Sequence, residues 1–413
     1  MISRSSPQAN RFLVYFLLVL ISIAFLTPML WMLGTSLKPL EQTTSKQFSF
    51  LPRIAYVDID GQVHKVRVDD EPIPADGSIV EILDGPKKGE KMYLPKSEFD
   101  GTYAMLEMQV ADRIMRDTFP AKALKEVHAG WYRVVEKVDQ YKEGARAWTI
   151  VPQGDIEQRV EFQWSNYAEA TKFIPFKNYV ANTLIMAILG MIGTVLSSSV
   201  VAYGFSRIDW RGRDQIFLVA LATMMIPFPV TMIPLYGVFK QLGMIGTFQP
   251  LWVPTFLGTG FESFYRDFFS KIGSLQPLWL PCWFGSAFNI FLLRQFFMTI
   301  PKDISEAARI DGCNEFQIFA TIILPLARPA MVVVALFHFI WAWNEFLLPL
   351  IYLSNADFFT LSIGLQAYQS RAGGIEWHFL MAACVLTILP IIALFFAAQK
   401  TFVQGIAMSG MKE

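Results

Sequence analysis

The chain has 413 residues, 53% of them hydrophobic and only 17% charged, with a mean hydropathy of +0.37. That balance excludes an ordinary soluble protein. Net charge is zero, which leaves no overall basic surface for nucleic acid, and Cys282, Cys313 and Cys384 stand in no spacing that suits zinc.

Residues 1–11 carry Arg4 and Arg11 and precede a charge-free run from Phe12 to Ser36. At 1.5 Å per residue that run is long enough to cross roughly 30 Å of hydrocarbon. It is too long for a signal-peptide core, and no small-x-small cleavage site follows. The expectation is a retained first transmembrane helix over 12–36, with residues 1–11 in the cytoplasm.

From Lys38 to about Lys177 the texture changes. Apolar and polar residues alternate on both sides of Asp60-Gly61, from Ala55 to Val68, which signals a hairpin with a type I′ turn. Ile79–Leu83 and Lys91–Leu94, around Asp84-Gly85, suggest a second strand pair. Ala111–Val127 reads as more helical, and 131–138 and 147–151 return to strand. An inserted, mostly β, extracytoplasmic domain over 53–160 follows. Its Asp, Glu and His residues form no recognisable catalytic or metal constellation.

The second apolar run, Asn178–Ser206, contains Gly190, Gly193 and Ser197–Ser199, small residues that let membrane helices approach closely. The third, Gln215–Phe239, holds Pro227, Pro229 and Pro234 and predicts a kink. Gln249–Gly258 then recurs 27 residues later as Gln276–Gly285, like a small tandem duplication. Its first copy reads as interfacial or re-entrant, given its Pro, Gly and Trp. The remaining runs are about 278–297, 329–353 and 378–399, with 401–413 as a cytoplasmic tail.

Six crossings put both termini and the 301–328 loop on one side. That side collects Arg4, Arg11, Arg207, Arg211, Arg213, Lys302, Arg309, Arg328, Lys400 and Lys412, against Lys240, Arg266, Lys271 and Arg371 opposite. The positive-inside rule makes it the cytoplasmic side. A seventh crossing at 241–261 would export the loop, and the charges oppose it.

Within that loop, Glu306–Pro325 reads as two short helices joined by a tight turn. Asp303 can cap the first with Glu306 as its partner, Gly312 fits a left-handed stop, and Asn314 with Gln317 repeats the cap before a helix that Pro325 closes. The first helix is too short to stand alone in water and needs something to dock on.

Glu306-Ala307-Ala308, Gly312 and Ile322-x-Leu324-Pro325 resemble the EAA loop of ABC-importer permeases, the coupling segment that fits a cleft on the cytoplasmic ATPase. Ser165–Ala170, Asn178–Thr183, Phe291–Phe297, Trp343–Phe346 and Phe402–Gly405 likewise resemble carbohydrate-type permeases related to the second maltose permease. The likeness covers 12–52 and 162–410; the insert at 53–160 and some residues near 255–280 depart from it. It implies an α-helical polytopic fold, the type I ABC-importer permease, in the cell (inner) membrane, with the transmembrane domain over 178–400. It also implies ATPase-coupling roles for Glu306, Ala307, Ala308, Asp311, Gly312, Leu324 and Pro325. The implied partners are a second permease in a heterodimer, a cytoplasmic ABC ATPase dimer, an extracytoplasmic solute-binding protein and membrane lipid, with no nucleic acid.

In the fifth run, Trp341, Trp343, Asn344 and Glu345 bring polar and aromatic groups to membrane depth. A carboxylate there needs a wet cavity or a partner. Two readings are open: a solute pathway, for which tryptophan faces suit sugar rings, or a structural hydrogen bond from Glu345. No GxxxxGK[ST] phosphate loop occurs, so no cofactor is expected on this chain and ATP is used by the partner ATPase. The sequence reads as a non-enzymatic permease subunit for a sugar or oligosaccharide. The alternative is a membrane-anchored sensor or scaffold with a ligand-binding extracytoplasmic domain.

Overall fold

The computed structural model describes residues 7–44, 49–59, 61–69, 71–110, 113–136, 148–245, 271–369 and 376–410. The chain divides into two compact units, Met1–Asn166 and Tyr167–Glu413.

The first unit opens with α1 (Pro7–Ser36), an apolar helix exposed along most of its length from Val14 to Leu30 and, among its described residues, buried by protein only at Thr35 and Ser36. A helix that is apolar all round and uncovered along most of its length belongs in lipid. Among the described residues, nine strands follow. β1 (Arg53–Ile59) and β2 (Gln62–Val68) form the expected hairpin, with Ile59 opposite Gln62 and Gly61 at φ 80° in its turn. β3 (Gly77–Ile82) pairs with β4 (Lys91–Pro95), also as expected. The stretch read as more helical, 111–127, is instead strand β6 (Arg113–Val127), held between β3 and β5 (Tyr103–Val110). Pro120 argues against a helix there, since it lacks the N–H an inner helical turn needs. Pairing on both edges then overrides weak local propensity.

β7 (Tyr132–Glu136), β8 (Trp148–Val151) and β9 (Glu157–Val160) complete two antiparallel sheets, ordered β8-β7-β2-β1-β9 and β4-β3-β6-β5. Val57, Val66, Val134 and Val151 fill one core, and Val80, Ile82, Leu94 and Leu106 another. Arg53 of β1 sits opposite Val160 of β9, so the domain's two ends are neighbours. Adjacent ends are what let a domain interrupt a loop without prising apart what flanks it.

The second unit is helical and organised on α3 (Phe176–Ser206), which α2 (Ser165–Phe173) precedes. α3 packs along α6 (Ala287–Thr299) and α9 (Arg328–Asn344). Close approach is possible because a Cβ at Gly190 would strike His338 and one at Gly193 would strike Trp283. Near its start, Tyr179 and Met186 join Leu278, Phe339, Trp343 and Phe379 in one core. Near its end, Tyr203 and Phe205 join Leu293, Phe297, Ile318, Ile323 and Val334 in a second.

The third run is more than kinked. α4 (Arg213–Ala222) and α5 (Phe228–Gln241) form a bent pair at 98°, with Pro227 at the break in extended geometry. The fourth run is segmented: Gln276–Trp279, a 3-10 stretch over Leu280–Phe284, then Gly285 at φ 85° before α6. Pro281 and Gly285 supply the reason, one lacking a donor and the other freely left-handed. α7 (Lys302–Ile310) and α8 (Glu315–Leu326) form the loop hairpin, with α8 bent 77° from α9. α10 (Leu347–Tyr352) and α11 (Leu361–Gln366) lead to α12 (Trp377–Gly410), so most of the expected 401–413 tail continues the last helix. Among the described residues, three helices are long and apolar enough to span a membrane, or five with each bent pair as one span. The first copy of the Gln-Pro-Leu-Trp repeat, and most of 241–261, lie outside the described residues.

Candidate functional site

The 301–328 segment folds as the sequence predicts at its turn. Gly312 has φ 85°, Cys313 N–H donates to the Ala308 carbonyl at 3.0 Å, and Gly312 N–H donates to Arg309 at 3.1 Å. These two bonds are the Schellman ending of a helix. Asn314 accepts from Gln317 N–H at 2.8 Å, and Gln317 Oε1 accepts from Asn314 N–H at 2.9 Å, a full capping box. The start of α7 differs from expectation. Pro301 is its cap, with no side-chain hydrogen bond, and Asp303 lies in the first turn, where its charge suits the helix dipole. Pro325 is the penultimate residue of the second helix, which ends at Leu326, and it follows a π-helical turn over Ile318–Ile323 that loosens the ladder just ahead of the missing N–H.

One ion pair of the hairpin is spent on its own shape. Arg309 Nε donates to Glu315 Oε1 at 2.8 Å, and Tyr203 Oη on α3 donates to Glu315 Oε2 at 2.7 Å. These hydrogen bonds hold the Glu315 carboxyl below its ordinary pKa, the one from Arg309 contributing most. Phe319 packs against Tyr203 with ring centres 5.0 Å apart. Glu306, Ala307, Asp311 and Gly312 are exposed together at the turn, whereas Ala308 faces the core and Leu324 and Pro325 lie on the far helix. Ala308, Ile318, Phe319 and Ile323 are buried, but Ile310 is 87% and Phe316 75% exposed.

Two arginines lock the ground beneath the hairpin. Arg207, just past α3, is buried and donates from Nη2 to the Phe297 and Ile300 carbonyls at the end of α6. Arg294 on α6 donates to the Phe205 carbonyl near the end of α3 at 3.2 Å. Each helix thus caps the other's orphan carbonyls with a cation, favourable at a C-terminus. Sequence reasoning took Arg207 as a topology charge and missed the exchange. The only signal was a basic residue at the last turn of each run.

The four residues of the fifth run separate. Trp343 is 2% exposed, stacks on Phe339 at 5.5 Å and donates to the Thr387 carbonyl at 3.1 Å. It is a packing residue in this conformation. Glu345 ends α9 and caps α10 by accepting Leu348 N–H at 3.0 Å, while its carbonyl accepts from Ser362. Trp341 and Asn344 are exposed, and Asn344 is tied to the Ile340 carbonyl of its own helix at 2.7 Å. Asn178 and Asn182 clasp the segment before α11: both donate to the Asp357 carbonyl, at 2.6 and 2.8 Å, and Thr183 Oγ1 accepts Leu361 N–H at 2.9 Å.

A helical unit with broken apolar spans and a capped, exposed hairpin defines the class as a polytopic membrane protein. The fold is like that of a chain in the crystal structure of a bacterial ABC transporter involved in the import of the acidic polysaccharide alginate. The TM-score is 0.56 at 17% identity, covering 96% of this chain and 98% of that one, and the fold is that of a type I ABC-importer permease. The profile of the family described as "Binding-protein-dependent transport system inner membrane component" matches residues 193–408, and the chain belongs to that family. It is a transport subunit and not an enzyme.

Among its relatives is the arabinooligosaccharides transport system permease protein AraQ of Halalkalibacterium halodurans, 31% identical over 57% of this chain and 74% of that protein. The trehalose/maltose transport system permease protein MalG of Thermococcus litoralis is 32% identical over 57% and 76%. The sn-glycerol-3-phosphate transport system permease protein UgpE of Escherichia coli is 27% identical over 67% and 88%.

Proposed function

We propose that this permease carries a sugar or oligosaccharide inward, driven by ATP that a partner ATPase hydrolyses. The saccharide names of two of those relatives support the substrate class. The observation that carries the coupling is the hairpin: Arg309 and Glu315 are paired internally, while Ile310 and Phe316 stay bare beside Glu306, Ala307, Asp311 and Gly312. Apolar anchors rimmed by polar groups are what a protein interface uses. The hairpin docks in the ATPase, Glu306 makes a polar rim contact, and Gly312 fixes the turn. Ala308, Leu324 and Pro325 hold the hairpin on its base. Closure of the ATPases moves it as a rigid piece, and the α3–α6 contact carries that motion into the membrane.

The proposed topology has six crossings, with both termini in the cytoplasm and the β domain outside, near the solute-binding protein. The chain pairs with a second permease. Trp341, Asn344 and Glu345 border the solute path, with Trp343 supporting them from behind.

Reconstitution in lipid vesicles with the ATPase, second permease and binding protein tests this reading. ATP-dependent uptake of labelled arabino-oligosaccharide or trehalose is the expected result. An active complex that moves no saccharide overturns the substrate class. Failure of an ATPase to co-purify with the folded chain overturns the coupling.

A further inference from the structure

We propose that the β domain is seated on the bilayer surface by an apolar collar of Phe50, Leu51, Phe162 and Trp164, whose partner is the lipid interfacial layer. The proposal rests on α1 crossing the membrane and is independent of the solute and of which side the domain occupies. All four side chains are exposed, Trp164 at 68%. Single exposed apolar residues are ordinary, but several at one level form an apolar surface patch. The domain's own cores are filled by other residues.

Hydrogen bonds fix where the cluster lies. Gln163 N–H donates to the Leu37 carbonyl at 2.9 Å, and Asn166 Nδ2 donates to the carbonyls of Ser36 and Lys38, both at 2.9 Å. Glu161 N–H donates to the Pro52 carbonyl at 3.3 Å, and Gln42 Nε2 to the Leu51 carbonyl at 2.8 Å. Phe162 and Trp164 therefore flank a residue bonded to the one that follows α1, and Leu51 lies beside them. The rings of Phe162 and Trp164 are 6.4 Å apart.

Depth follows from length. The apolar stretch Val14–Ser36 has 23 residues. At 1.5 Å each it spans ~34 Å, against about 30 Å of hydrocarbon, so its end emerges at the interface. Lys38 lies there too, 3% exposed, with its ammonium 4.3 Å from the centre of the Trp31 ring. Tryptophan and phenylalanine at that level partition into the headgroup boundary. The collar continues the lipid-facing surface of α1 onto the domain's neck and stops the domain from swinging freely.

The test places p-benzoylphenylalanine at position 162, at 51 and, as a control, at exposed Val63 on β2. The full transporter is irradiated in phosphatidylethanolamine–phosphatidylglycerol vesicles and analysed by mass spectrometry. Lipid adducts at 162 and 51 but not at 63 are expected. Crosslinks from 162 and 51 to another protein subunit would overturn the proposal in favour of a protein interface. Equal lipid labelling at all three positions, or none at 162 and 51, would overturn it as well. Position 51 keeps the test decisive if the change at 162 impairs folding.

Discussion

The docking hairpin and the break after α9 are both polar interruptions in apolar runs, yet they leave opposite things unspent. In the hairpin, Arg309, Glu315, Asn314 and Gln317 are consumed in holding the shape, and two large apolar side chains are left bare. At the break, Glu345 caps the next helix and Trp343 is bonded into the core, which leaves Trp341 and Asn344 facing outward. Charge in an apolar run is therefore a poor guide to function by itself. What matters is which groups remain after the backbone and the core have been served.

The largest effect should come from the bare pair. Ile310→Asp together with Phe316→Asp removes two apolar anchors that would each contribute about 2 kcal/mol in a desolvated interface, roughly 30-fold in affinity apiece and on the order of 700-fold together. Titration of the ATPase against the solubilised permease should show that loss with an unchanged melting temperature, because both side chains are exposed. An unaltered affinity would break the comparison at its first term.

Next is Gly312→Val. A Cβ there meets nothing within 4 Å, so the cost is purely that of φ 85°, about 1–2 kcal/mol for an L-residue and more with β-branching. Membrane insertion should persist while binding-protein-stimulated ATP hydrolysis no longer drives uptake. Gly312→Asn should recover part of the coupling, since asparagine tolerates that backbone. Normal uptake by the valine variant would count against the turn.

Glu315→Gln sharpens the contrast between shape and contact. The Arg309–Glu315 pair is about half exposed, so screening limits its contribution to roughly 0.5–1 kcal/mol. Because the folded pKa of Glu315 is lowered from 4.5, its contribution is present above about pH 4.5 and lost as pH falls through the lowered value. Coupling efficiency in the wild type should thus stay flat across neutral pH and fail only in acid. The Gln variant should be weakened at every pH; an equal acid response in both would remove Glu315 from the strut.

The smallest effects test the break. Trp343→Phe loses the bond to Thr387, about 1 kcal/mol, and should lower the melting temperature while leaving the KM for uptake unchanged. Trp341→Ala should do the reverse, raising KM a few-fold with stability intact. If both variants change only stability, the solute path does not run here.

Much of this was legible in residue order because it is local. The Asp60-Gly61 hairpin, the Gly312 stop and the Asn314–Gln317 box are each decided within a few residues by turn and cap chemistry. The apolar runs and the small-residue face of α3 follow from composition at helical spacing. The tertiary structure alone decided that 113–127 is strand, because β3 and β5 claim its edges. It also decided which tryptophan of the pair is packing, and that Arg207 and Arg294 cap each other's helices. These outcomes depend on partners about 90 residues away in the chain for the arginines, and no local pattern encodes which distant carbonyl or strand edge will be left unsatisfied.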